Sequence, residues 1–393
     1  MSQEAYQELA QELTNHGPGG VLRKLSEQLK HEQKYHELFD VLLMETRQRL
    51  GLPAVLSTPL DDLPEPERTE LENAYLAACR EVGTLLLAEG KVREAWMYLR
   101  PLGDRGLVAG ALARITPNEE NLQDLIEISL HEGVAPALGF ELVLKNYGTC
   151  NAITTFEGSL TGRSRADQQA AAALLLRQLH TDLIANVRAD IERQQSQAPT
   201  GDTLAELVAD RDWLFTDNNY HIDTTHLAAT VRFARLLTDT ELVRMALDLT
   251  EYGRHLGSQF QFPGEEPFAN VYPTHGLFFA AQLGQRVDEA TEYFGRKARE
   301  LDPAELGTGA IEIYIELLVR LKRYEQALEA AGELIPPGMR TSGFAPGLFE
   351  LAQLSGRYDQ LRAICERRGD LVGYAAALLE GRAQVSDGER LGK

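Results

Sequence analysis

Apolar positions along this chain recur every three or four residues over most of its length, the spacing of one helical face. Strict alternation and Asn-Gly-type hairpin turns are hardly present. The pattern predicts an all-α protein. Helices are expected over about 20–31 and 35–50, where Leu38 and Leu42 share a stripe with Phe39 and Leu43 beside it. Further helices are expected over 67–88 and 92–99, stopped at Pro101, then over 118–131 and 136–147. Pro136 suits a first helical turn, where its missing N–H costs nothing. Prolines 59, 64 and 66 mark 57–66 as a connector, since each disfavours helix at the residue before it. With Ser164 as N-cap, an unbroken helical run reaches about Gln195, and 196–201 reads as a linker. Helices resume over 202–215, 223–237 and 240–256. The segment 260–273 reads as a long irregular loop. Helical pairs return from His275 to about Gly369, closed by a helix over 371–379. This organisation divides the chain into 1–160, 161–274, 275–383 and a flexible tail at 384–393.

Five stretches repeat one motif, in which a tight turn with a basic or small residue leads to an apolar anchor that opens the next helix. They are Gln33-Lys34-Tyr35, Gly90-Lys91-Val92, Gln285-Arg286-Val287, Lys322-Arg323-Tyr324 and Gly356-Arg357-Tyr358. Tyr324 and Tyr358 lie 34 residues apart, and Val287 and Tyr324 37. That is the period of helix–turn–helix repeats. The turns after Gly90 and Gly356 and the stretch 322–327, together with 288–294 followed by Leu301-Asp302-Pro303, resemble tetratricopeptide repeats. The resemblance implies a right-handed α-solenoid in which Ala290, Ala327, Ala331 and Ala352 let neighbouring helices approach closely. It also implies a concave face suited to a protein or peptide partner. Peptide-clamping members of that family use basic and Asn side chains on the first helices. Here those helices carry mainly apolar and acidic residues such as Glu312 and Glu316, so a carboxylate-clamping role is not expected.

Charge and cysteine content narrow the partners. The 393 residues hold 59 acidic and 39 basic side chains, a net charge of −20. That field repels phosphate backbones and anionic membrane surfaces, so neither nucleic acid nor membrane is an expected partner. The three cysteines, Cys79, Cys150 and Cys365, are far apart, which fits a reducing compartment. The polar, acidic start lacks the basic and apolar regions of a signal peptide, and no apolar run reaches the roughly 18 residues of a membrane span. A cytoplasmic protein is expected.

Two places carry candidate chemistry. Five of the nine histidines fall between His180 and His275. The densest group runs His221-Ile222-Asp223-Thr224-Thr225-His226, with Asp223 placed to cap the following helix. His221, Asp223 and His226, joined by His255 or His275, are candidate ligands for a divalent metal such as Zn²⁺, Fe²⁺ or Mn²⁺. The bland alternative is a helix cap with histidines bonded locally at helix ends. The second place is the aromatic loop, where Phe262, Phe268 and Tyr272 are candidates for a pocket wall or lid, set against the alternative that they anchor the loop to the core. Trp213 and Phe215 lie close enough in sequence to join His221. The leading expectation is a helical-repeat scaffold for a protein or peptide. The alternative is a metal-dependent enzyme or small-molecule binder at the central cluster. Self-association as a homodimer through the apolar patch 170–176 is a third.

Overall fold

The computed structural model describes residues 3–55 and 62–391, with side chains described over 5–55 and 62–381. Half of the expected connector, and the side chains of the expected tail, lie outside those residues. Among the described residues the chain is all-α, with one isolated antiparallel bridge between Pro263 and Asn270. No described helix is long and apolar enough to cross a membrane. The chain forms two compact units, 1–163 and 164–393.

The first unit contains α1 (Gln3–His31), α2 (Tyr35–Arg49), α3 (Glu65–Ala88), α4 (Val92–Leu99), α5 (Arg105–Leu112), α6 (Leu122–Ile126) and α7 (Pro136–Thr155). α1 packs on α2, α2 on α3 and α3 on α4, around Leu38, Val82, Leu86, Ala95 and Leu99. α1 is interrupted at Gly17, whose φ of 69° is open to glycine at little cost, and Pro18 opens its second arm. Three elements were not expected: the arm of α1 before Gly17, α5, and the arm of α7 that follows the break at Gly148. Asp104 caps α5 by accepting the Leu107 N–H at 3.1 Å.

The second unit begins with α8 (Arg165–Gln195), a single 31-residue helix. Ser164 caps it, its Oγ accepting the Asp167 N–H at 3.2 Å, as the sequence predicts. The patch at 170–176 finds cover within the unit: Ala171, Ala172, Leu175 and Leu176 are buried, and α8 packs on α10 and α11. The remaining helices are α9 (Leu204–Val208), α10 (Thr224–Ala234), α11 (Thr240–His255), α12 (Val271–Gln282), α13 (Val287–Glu300), α14 (Pro303–Leu306), α15 (Gly309–Arg320), α16 (Tyr324–Leu334), α17 (Leu348–Ser355), α18 (Tyr358–Arg368) and α19 (Leu371–Leu391). The linker at 196–201 joins α8 to α9 inside this unit. α12 is buried on nearly every face from Val271 to Ala281, as a helix that is apolar all round must be.

All five repeated turns start helices where the motif predicts, at Tyr35, Val92, Val287, Tyr324 and Tyr358. The reason is a shared C-terminal cap. A residue with left-handed backbone ends the preceding helix (Gln33, Gly90, Gly284, Lys322 or Gly356), and the next N–H donates to a carbonyl five residues back. Those bonds run from Lys34 to Leu29, Lys91 to Leu86, Gln285 to Ala280, Arg323 to Leu318 and Arg357 to Ala352, at 2.8–3.1 Å. The turn before α13 carries one extra residue, Arg286, itself left-handed at φ 50°.

Glu312 and Glu316 are not on a solvated concave surface. They are 1% and 4% exposed and hold the unit together. Glu312 accepts from the Thr308 hydroxyl at 2.6 Å, the Ser342 N–H and hydroxyl at 2.9 and 2.7 Å, and the Phe344 N–H at 3.0 Å. Burial alone would raise its pKa, but these bonds outweigh it and hold the carboxyl below its ordinary value. Glu316 pairs with Arg165 and with Arg320, whose other N–H groups donate to the Leu237 and Arg235 carbonyls at 3.0 and 2.7 Å. A buried charge pair persists only where such further bonds satisfy it.

Candidate functional site

The five metal-ligand candidates do not converge, and four of them are taken up by different local contacts. Among the described residues, no group of three His, Cys, Asp or Glu side chains is placed to hold a metal ion. Asp223 is the N-cap of α10, accepting the Thr225 and His226 N–H groups at 2.9 and 3.1 Å. His226 sits half-exposed on the first turn of α10, and His255 is exposed and stacked on Phe215 with ring centroids 5.1 Å apart.

His221 goes inward. Its Nε2 lies 3.1 Å from Asp190 Oδ2 and its Nδ1 2.9 Å from the Tyr252 hydroxyl, which also accepts the His221 backbone N–H at 2.9 Å. The Asp190 carboxylate only accepts, so Nε2 donates to it, and both ring nitrogens have a partner. Asp190 is further held by Arg193 and by Asn219 at 3.3 Å. Burial would raise its pKa, but Arg193 and His221 lower it more. With the His221 side chain 4% exposed and Asp190 5%, the triad ties the 218–223 turn to α8 and α11 and offers no access to substrate.

His275 belongs to the aromatic loop. The loop from Gln261 to Asn270, together with α10 and α12, encloses a cavity of about 460 Å³ lined by Thr225, Ala228, Arg232, Arg235, Phe262, Pro263, Gly264, Glu265, Phe268, Val271 and His275. The loop is fixed in place. Gln261 Nε2 donates to the Gly253 and Leu256 carbonyls, the Tyr293 hydroxyl donates to the Pro267 carbonyl at 3.0 Å, and Lys297 pairs with Glu266 at 2.8 Å. Phe268 is both anchor and wall: it is buried, stacks on His275 with centroids 4.1 Å apart, and carries the Arg235 guanidinium 5.0 Å from its ring centre. Tyr272 is not in the loop. It lies in the first turn of α12, fully buried, its ring against Gly253, where a Cβ would overlap it. The residue that sequence reasoning passed over is Arg235. The only signal for it was two arginines, 232 and 235, three apart at the end of α10 and ahead of the loop. Burial, with the like charge of Arg232 adding, lowers Arg235 to about 10, so it stays cationic at neutral pH.

A second site lies in the first unit. One face of α3 and the start of α5 frame two adjoining hollows of about 570 and 590 Å³ that share Thr84. Their floor is apolar: Leu76, Leu85, Leu87 and Ala88 from α3, Leu107 and Ala111 from α5, and Ile115 beyond it. Leu76 and Leu107 are 40% and 38% exposed. The rim charges are mostly matched internally, Arg80 with Asp104 at 3.4 Å and Glu81 with Lys30 at 2.6 Å, while Arg114 at the far end is exposed. A Cβ added to Gly110 would meet nothing within 4 Å.

Compared with known proteins, the chain matches no family model, no curated protein and no solved structure.

Proposed function

We propose that this protein is a helical-repeat scaffold whose first unit docks an amphipathic helix of a partner protein along the groove between α3 and α5. The observation that carries the reading is the continuity of the two hollows along α3. From Leu76 to Ala88 the floor extends roughly 18 Å at a helical rise of 1.5 Å per residue, the length of three helical turns. A groove of that length, with apolar floor and polar rim, suits the helix-in-groove mode, read as anchors at i, i+3 or i+4, and i+7. The open space beside Gly110 leaves room for a partner backbone to approach α5. The rim is largely self-paired, so apolar anchors supply most of the contact, and Arg114 favours an acidic side chain at that end of the partner. In this reading the repeats follow the right-handed, tetratricopeptide-like solenoid that the turn motif implies, with first helices such as α3 and α5 facing the partner.

Panning a helical-peptide display library against the full chain tests this. The expected selection is apolar at i, i+3 or i+4, and i+7 with an acidic residue at one end. Gly110→Glu should weaken its binding at least tenfold while leaving the helix intact, since the added side chain meets no neighbour. No enrichment, or equal affinity for the variant, contradicts the reading. So does a chain that light scattering shows to be a dimer dissolved by Gly110→Glu, because the groove would then be filled by a second copy.

A further inference from the structure

We propose that the cavity behind the aromatic loop of the second unit binds a small organic anion that also carries a hydrogen-bond donor, such as a hydroxyl. The inference is independent of the groove in the first unit.

Three features of the cavity wall point to this ligand. The first is Arg235. Its Nε–H donates to the Arg232 carbonyl at 2.9 Å, and its planar group lies over Phe268. That fixes the fork, while among the described residues its terminal N–H groups make no hydrogen bond and meet no carboxylate within ion-pair distance. A cation held this way, with donors to spare, is the geometry that takes a carboxylate or phosphate. Glu265 on the same wall sits close enough to act on Arg235 electrostatically without pairing with it.

The second feature is His275. It is 1% exposed, and its Nδ1 lies 2.6 Å from the Val271 carbonyl. A carbonyl only accepts, so Nδ1 carries the proton and Nε2 presents a lone pair. Nε2 is buried and has no protein partner. Burial, reinforced by the charge of Arg235 and opposed by the Val271 bond, keeps the ring from protonating. Nε2 is therefore a fixed acceptor in a buried wall, and leaving such a group unpaired is costly. An oxyanion without a proton cannot satisfy it, since such a group brings only acceptors. A ligand that places an O–H or N–H toward Nε2 and an oxyanion toward Arg235 satisfies both.

The third feature is the remaining surface. Ala228, Phe262, Pro263 and Val271 are apolar and suit a short carbon skeleton. The volume of about 460 Å³ falls within the roughly 300–1,000 Å³ of small-molecule sites. Apolar walls with a few convergent polar groups are the usual construction of such a site.

Calorimetric titration of the full chain with matched pairs of probes tests the proposal. Malate against succinate, and glycerol 3-phosphate against propyl phosphate as the dianion, separate the anionic end from the donor, and the two pairs separate carboxylate from phosphate. The hydroxylated member of at least one pair should bind at least tenfold more tightly than its partner. Arg235→Met should weaken that binding at least tenfold, and His275→Phe should abolish the preference for the hydroxyl while leaving residual anion binding. Because either variant can unfold, the same question is put to the wild-type chain labelled with ¹⁵N-histidine. Adding the preferred probe should move the unprotonated Nε2 resonance of His275. The proposal is overturned if no probe binds at up to about 10 mM, if Arg235→Met binds as well as wild type, or if the Nε2 resonance stays fixed in saturating probe.

Discussion

At the scale of single residues, two buried polar atoms set the sharpest expectations. The Tyr272 hydroxyl is enclosed with no protein partner, and burial raises its pKa far above the ordinary tyrosine value. An unsatisfied buried group costs about 1–3 kcal/mol. Tyr272→Phe, which keeps the ring packed against Gly253, should therefore be at least as stable as wild type and gain up to about 1 kcal/mol by urea denaturation. A loss of more than that would mean the hydroxyl is bonded after all. His275 gives a pH dependence. Burial, with Arg235 and Arg232 adding to it, lowers its pKa well below the ordinary 6.5. The folded ring thus stays neutral where the unfolded one protonates, and the unfolded chain binds more protons. His275 consequently costs little stability well above pH 6.5 and a growing amount as the pH falls through it, up to about 1.4 kcal/mol between about pH 7.5 and 5.5. Urea midpoints for wild type and His275→Phe should diverge by that amount over the interval, with the variant the flatter. A parallel pair of pH profiles would contradict the burial of a neutral ring. The residues of both sites were partly legible in the sequence. Asp223 as a helix cap and Phe268 as a loop anchor follow from their types and positions. The inward turn of His221 toward Asp190 and Tyr252 does not, because those partners come from helices 31 residues away on either side.

At the scale of helices, the five repeated turns were the most readable feature of the chain. A left-handed cap residue, a basic or small residue and an apolar anchor form a local device, and local devices are visible in sequence. Two of the five cap positions, Gln33 and Lys322, are non-glycine residues held at φ 55° and 59°. The left-handed region disfavours such residues by about 1 kcal/mol. Lys322 is exposed, so Lys322→Gly should recover part of that, raising stability by about 0.5–1 kcal/mol in thermal or urea unfolding. Destabilisation by the same change would show that the turn is not left-handed. What the pattern hid were elements with weak local signals. α5 reads Arg-Gly-Leu-Val-Ala-Gly-Ala-Leu, where two glycines lower helix propensity and the apolar run has no polar phase. The start of α12 was hidden by Pro273, which lies in its first turn, where a missing N–H is tolerated. These two gaps matter, because α5 frames the groove and the start of α12 carries Val271 and His275 into the pocket.

At the scale of the whole molecule, one proposed site falls in each of the two compact units, and the two differ in kind. The first offers a long apolar groove with a mostly self-paired rim. The second offers a cavity with a fixed cation and a buried acceptor. Neither uses the metal-binding arrangement that the histidine spacing suggested, because sequence proximity at a helix entry did not bring those rings together. The net charge of −20 is spread over both units and defines neither site. The central claim is that the α3–α5 groove is the docking surface, and hydrogen–deuterium exchange on the full chain with the selected peptide tests it most directly. Amide protection on peptide binding is expected to rise over residues 76–88 and 105–115. Protection that rises elsewhere, with those two segments unchanged, would contradict it.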